Sequence, residues 1–128
     1  MTIVHIFSET APKPMGTYSH AIKANGFLFI SGQLPISPGT NELVSEDHIA
    51  QIKQCFDNIK TICESAGTKL QNALKINVYY TDADISENIN AVMEQYFSAP
   101  YPARIRVKVA GLSRNAKVEI DGVFLCQE

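Results

Sequence analysis

From Pro100 to Ala110 the chain reads Pro-Tyr-Pro-Ala-Arg-Ile-Arg-Val-Lys-Val-Ala, and no other stretch restricts the fold so tightly. Each proline fixes its own φ and pushes the residue before it toward extended backbone. After Ala103, apolar and cationic residues alternate with period two, which is the pattern of a strand. Ile105, Val107 and Val109 fall on one face and call for a core. Arg104, Arg106 and Lys108 fall on the other. That cationic face has two readings. One is a solvated strand face. The other is a guanidinium held at the start of a stiff strand, ready for a carboxylate or phosphate.

The remaining segments can be read in order around this strand. Ile3 to Phe7 is a short strand, and residues 11–17 form a loop with two prolines and a glycine. Tyr18 to Ala24 and Phe27 to Gln33 are strands joined by Asn25-Gly26, a two-residue hairpin turn whose central positions need positive φ. The apolar start of the Phe27 strand predicts burial on both faces. Leu34 to Leu43 is a loop. Ser45 is the expected N-cap of a helix carrying Ile49, Ile52, Phe56, Ile59 and Cys63 at helical spacing, with Gly67 at its end. A strand from Ala73 to Thr81 follows. A second helix, capped by Ser86, carries Ile89, Val92, Met93, Tyr96 and Phe97. The cationic strand comes next, and Lys117 to Leu125 closes the chain as a last strand. The order β-β-β-α-β-α-β-β predicts an α+β fold in one domain spanning residues 1–128, with both helices on one sheet face. The second sheet face is also expected to be buried, and another subunit is the available cover.

Composition narrows the function classes. The net charge of −2 gives nothing that draws the chain to nucleic acid or to an anionic membrane. No apolar run reaches the length of a bilayer span, and the first residues lack a secretory signal pattern. The three cysteines, Cys55, Cys63 and Cys126, show no C-x-x-C or Cys/His spacing, so no metal site is expected and a cytoplasmic location is.

The last strand alternates as well. Lys117, Glu119 and Asp121 share one side, and a short loop joins this strand to the Arg104 strand. An antiparallel hairpin is expected, which would set Glu119 and Asp121 beside Arg104, Arg106 and Lys108. Such a hairpin could be plain cross-strand charge pairing. Equally, it could be an anion-binding arginine beside a carboxylate that manages a water.

Gly16-x-Tyr18-Ser19, Phe29 to Gln33 with its Ser31-Gly32-Gln33, Asn90, Pro102-Ala103-Arg104 and Val118-Glu119-Ile120 together resemble the motif set of the RidA/YjgF family. These are reactive-intermediate imine deaminases, formerly called L-PSP endoribonucleases. The resemblance runs along nearly the whole chain, in order. It implies a chorismate-mutase-like homotrimer with a central β-barrel, helices outside and clefts between subunits. It also implies hydrolysis of 2-imino acids or their enamine tautomers to 2-keto acids and ammonia, without cofactor or metal. By the same resemblance Arg104 anchors the substrate carboxylate, Glu119 positions the attacking water and Tyr18 lines the cleft. Ser31, Gly32 and Asn90 belong to the pocket. Two further readings stand beside this one, a non-catalytic module that binds keto acids and a ribonuclease.

Three positions depart from the family pattern. Thr17 stands where proline is common, His20 where glutamine is common, and Arg106 where a small residue, often cysteine, is usual. Arg106 shares its strand face with Arg104. It is expected either to pair with Asp121 or Glu119 or to add a second cation to the substrate-binding cleft, favouring substrates with a second acidic group. His20 is a minor candidate proton donor, with ordinary packing as the alternative.

Overall fold

The computed structural model describes residues 2–127. Its strands are β1 (Val4–Ile6), β2 (Ala21–Ala24), β3 (Phe27–Gln33), β4 (Ile36–Ser37), β5 (Glu42–Leu43), β6 (Ala73–Tyr80), β7 (Ala103–Lys108) and β8 (Val118–Leu125). Helix α1 (His48–Ala66) lies between β5 and β6, and α2 (Ala83–Tyr96) between β6 and β7. Six strands form one sheet in the order β1-β2-β3-β8-β6-β7, and β4 pairs with β5 in a small ribbon within the expected loop. The β-β-β-α-β-α-β-β order holds for the main sheet.

Local chemistry explains the boundaries. Asn25 and Gly26 take φ of 54° and 84°, which closes the β2–β3 hairpin. Tyr18 lies outside β2, in the loop before it. Asp47, not Ser45, caps α1: its carboxylate accepts from the Ala50 N–H at 2.8 Å, while Ser45 Oγ accepts from the Asp47 N–H one step earlier. Asp82, not Ser86, caps α2 by accepting from the Asp84 N–H at 2.9 Å, which leaves Ser86 inside the helix. Gly67, at φ 89°, ends α1 in the left-handed conformation.

The apolar stripes of both helices meet one face of the sheet. Ile52, Phe56, Ile59, Ile62 and Cys63 of α1 and Ile85, Ile89, Val92 and Met93 of α2 are buried; Ile49 is not. They pack on Leu28, Ile30, Ile76, Val78, Val118, Ile120 and Phe124. The Phe56 ring joins the two helices, 5.3 Å from Tyr96 and 5.6 Å from Phe97. All three cysteines are free and buried, and burial pushes the Cys63 thiol up to about 12. Neither helix is long and apolar enough to cross a membrane.

The other sheet face is open in the single chain, so its own chain covers the sheet on one side only. Strand β3 is buried on one side only: Leu28 and Ile30 face the helices, while Phe27 and Phe29 are exposed. Likewise Ile105 and Val107 do not enter the core, being 47% and 37% exposed. The parallel β6–β7 register explains why. Arg104 pairs with Ile76 and Arg106 with Val78, so the cations lie on the helix-covered side, at the sheet edge. Ile105 and Val107 then share the open face with Asn77 and Tyr79. Across the same face, Phe27 pairs with Leu125 and Phe29 with Val123.

Candidate functional site

The expected β7–β8 hairpin does not form. Strand β8 pairs with β3 and β6, and β6 separates it from β7. Glu119 pairs with Tyr79 and Asp121 with Asn77, on the open face, whereas Arg104 stands on the helix-covered face. Within one chain these two groups lie on opposite faces, two strand spacings or about 10 Å apart across the sheet. The candidate residues therefore gather in two clefts.

The first cleft, about 470 Å³, is lined by Tyr18, Ser31, Gly32 and Glu119, with Lys13, Met15 and Arg114 on its walls. Strand β3 slips by one residue against β8 between Ile30 and Gln33, a bulge that re-aims Ser31 and Gly32 out of the regular pleat. Ser31 Oγ donates to the Ser19 carbonyl at 2.7 Å, which spends its proton and leaves its lone pairs for the cleft. Tyr18 OH accepts from the Met15 N–H at 3.1 Å, which leaves its own proton free to donate. Partial burial, and secondarily the Asp121 charge, hold the Glu119 carboxyl above its ordinary value, which suits a group that must accept and return a proton. Asp121 itself accepts from Asn77 Nδ2 at 2.6 Å.

His20 also borders this cleft but is only 2% exposed. Its Nδ1 accepts from the Ser8 N–H at 2.9 Å, so Nε2 carries the proton and donates it to the Pro12 carbonyl at 2.7 Å. Both ring nitrogens are engaged, and the ring serves as a strut for the loop that carries Tyr18.

The second cleft, about 420 Å³, is lined by Asn90, Met93, Glu94, Tyr101, Pro102 and Arg104. Arg104 Nη1 donates to Asn90 Oδ1 at 2.6 Å and approaches Met93 Sδ at 3.5 Å, so α2 sets the direction of the guanidinium. Partial desolvation, then repulsion from Arg106, lower its proton affinity. Arg106 pairs with neither Asp121 nor Glu119. Its Nη1 donates to the Ser86 carbonyl at 2.9 Å, because its face turns it toward α2.

The first cleft owes part of its wall to Arg114, which sequence reasoning did not single out. Arg114 sits at φ 62°, and its Nη2 and Nη1 donate to the Asn41 carbonyl and Met15 Sδ, each at 2.9 Å. It thereby ties the ribbon to the Tyr18 loop. A polar loop gives no periodicity from which to find such a residue. Among the described residues no group of three or more His, Cys, Asp or Glu side chains is placed to hold a metal ion.

The fold is a six-stranded sheet with two helices on one face and a bulged Ser31-Gly32 step beside a half-buried glutamate, and comparison with known proteins assigns its family. Residues 8–126 match the family model for endoribonuclease L-PSP, and the chain belongs to this RidA/YjgF (L-PSP) family. A RutC family protein of Pyrococcus horikoshii is 45% identical over 118 residues, covering 92% of this chain and 94% of its own. A 2-iminobutanoate/2-iminopropanoate deaminase of Dermatophagoides farinae is 34% identical over 122 residues, covering 95% of each. Among solved structures, RidA from the Antarctic bacterium Psychrobacter superposes with a TM-score of 0.91 at 43% identity, over 95% of this chain and 98% of that one. TdcF of E. coli with bound serine superposes with a TM-score of 0.90 at 29% identity, over 97% and 99%.

Proposed function

We propose that the chain hydrolyses 2-imino acids to 2-keto acids and ammonia in clefts built between copies of itself. The observation that carries this reading is the division of the candidate residues. Tyr18, Ser31, Gly32 and Glu119 line one cleft, while Arg104 and Asn90 line another, so the proposed carboxylate anchor and the proposed water-handling glutamate come from different clefts. The open apolar face, with Phe27, Phe29, Ile105 and Val107 exposed, supports association of copies, and a closed trimer would bring one copy's first cleft against the next copy's second.

In such a cleft the Arg104 fork holds the substrate carboxylate, with Asn90 fixing the fork. Water adds to the electrophilic carbon of the protonated C=N bond while Glu119 accepts a proton from it. The carbinolamine then collapses: Glu119 returns its proton to nitrogen, the C–N bond breaks and ammonia leaves, and the C=O bond of the keto acid forms as the Glu119 carboxylate takes up the carbinol O–H proton and passes it to solvent. Tyr18 donates its free hydroxyl proton toward the reacting centre. The deaminase relative from Dermatophagoides farinae and the serine bound to TdcF are consistent with a cleft sized for small amino-acid-like molecules.

A ribonuclease reading finds less support. The net charge is −2, and the single histidine bordering the clefts, His20, has both ring nitrogens engaged. Keto-acid binding without turnover stays as the second reading, favoured by the extra cation Arg106.

Complementation tests the proposal. The imine is generated in situ with an amino-acid oxidase and captured by semicarbazide, and the enzyme is read as competition with capture. Arg104→Ala and Glu119→Gln should each be inactive. Co-expressed, they should restore about a quarter of the clefts, since each of the two positions is intact with even odds. No recovery in co-purified mixed oligomers would overturn the shared cleft, and an inactive wild type would overturn the enzyme.

A further inference from the structure

Along the exposed edge of the sheet, β7 presents Arg104, Arg106 and Lys108 on one face, level with Ile76, Val78 and Tyr80 of β6. The two arginines are held at different points of α2. Arg104 donates to Asn90 and Arg106 to the carbonyl of Ser86, one helical turn earlier. Two residues of strand separate their Cα atoms by about 6–7 Å. A guanidinium has five N–H donors, and each of these spends one on an oxygen, which leaves most of both forks unspent. No carboxylate among the described residues comes within ion-pair distance of either; the ion pair present joins Lys117 and Glu46. Arg104 is partly desolvated and feels the charge of Arg106 directly. Glu94 lines the same cleft but makes no ion pair with either arginine, so two like charges held side by side, neither of them ion-paired, form a receptor for an anion with two acidic ends. A single phosphate would need both forks to converge on one point, whereas α2 holds them a turn apart.

We propose that the cleft at Arg104, extended along the exposed strand edge to Arg106 beyond its lining residues, takes 2-imino acids bearing a second carboxylate, of the four-carbon class of 2-iminosuccinate, with Arg104 gripping one acid group and Arg106 the other. This rests on the reading above that Arg104 is the carboxylate anchor. Arg106 is then a specificity-determining residue, selecting dicarboxylates over the small neutral side chains of 2-iminopropanoate. The guanidinium fork gives bidentate contacts that lysine cannot copy.

Equilibrium binding of stable probes tests this apart from turnover. Succinate and butyrate have the same chain length and differ in one carboxylate. Wild type should bind succinate at least about tenfold more tightly than butyrate, the scale of one added charge-assisted hydrogen-bonded pair. Arg106→Ala should collapse that ratio toward one, and Arg106→Lys should restore part of it. The side chain is exposed, so these variants are expected to fold, and sedimentation confirms that their assembly is unaltered. Equal binding of the two probes would overturn the proposal, as would a ratio indifferent to Arg106 or inorganic phosphate competing as well as succinate. Arg106→Ala that dissociates the oligomer would overturn it too, because Arg106 would then be an interface residue. Hydrolysis of 2-iminosuccinate and 2-iminopropanoate, measured in parallel, separates the two readings. Succinate selectivity without hydrolysis of either imine sinks the enzyme and keeps the two-acid cleft. Hydrolysis with 2-iminopropanoate preferred does the reverse.

Discussion

The Glu119 carboxylate lies against Gly32 so closely that a Cβ at position 32 would stand 2.6 Å from Glu119 Oε2. Backbone and carboxylate can approach in this way only where a side chain is missing. The obstacle is the tip of a flexible side chain, so the fold can yield by moving it. Gly32→Ala should therefore cost little stability, under about 1 kcal/mol, and displace the proposed water-handling group. Since a misplacement of about 1 Å can cost on the order of 100-fold in rate, kcat should fall 10- to 100-fold. Imine hydrolysis alongside a urea melt would check both. A variant with unaltered kcat would mean that Glu119 needs no fixed position.

Asn90 orients Arg104 through the 2.6 Å bond to its Nη1. Asn90→Ala leaves the charge in place and frees its direction. KM should rise roughly tenfold, the scale of one hydrogen bond to a charged group, with a smaller change in kcat. Arg104→Lys should do worse, because it loses the fork altogether. Steady-state kinetics on one imine distinguish the two variants, and an Asn90→Ala enzyme with wild-type KM would remove Asn90 from the site.

The pH profile carries a sign. Burial first, and Asp121 second, raise the Glu119 proton affinity in the folded chain. The folded state thus holds a proton that the unfolded state has released, so this group favours folding at low pH. The contribution fades as pH rises from the ordinary carboxylate value through the raised one. On the activity side, the acidic limb of kcat/KM should fall above the ordinary glutamate range. Asp121→Asn keeps an oxygen to accept from Asn77 and removes the neighbouring charge, so the limb should move to lower pH. A limb that does not move would show that Asp121 does not tune Glu119.

Phe29 is 47% exposed on the open sheet face. Phe29→Glu should leave the single chain folded and break its self-association, because a carboxylate there would be desolvated in any interface. Sedimentation velocity should show a monomer with native far-UV circular dichroism. Assembly identical to wild type would place the interface elsewhere.

Phe56 is fully buried and contacts Tyr96 and Phe97. Phe56→Ala removes the ring that joins the two helices and should cost about 3–5 kcal/mol. The urea midpoint should fall accordingly, and a loss under about 1 kcal/mol would mean that the helices close over the gap.

Periodicity and turn chemistry were legible along most of the chain. The alternation that buries Ile76 and Val78, the stripe from Ile52 to Cys63 and the Asn25-Gly26 turn depend on neighbours close in sequence, and each formed where its pattern lay, whereas Leu74, at a register shift of β6 against β8, is 38% exposed. The N-caps moved by two to four residues because aspartates earlier or later in the same polar stretch could satisfy the first free N–H groups. The identities of Arg104, Glu119, Ser31 and Gly32 as candidates were legible through the order of their motifs.

Which of those candidates meet was not legible. Two strands joined by a short loop, β7 and β8, invite a hairpin, yet β6 lies between them because its Ile76 and Val78 must be covered on both flanks beneath the helices. By itself the sequence determined the elements, the alternation of each strand and the chemistry available. Only the tertiary structure decided that Arg104 and Glu119 stand on opposite faces of one sheet, since period two assigns residues to two sides and strand order alone says which sides coincide.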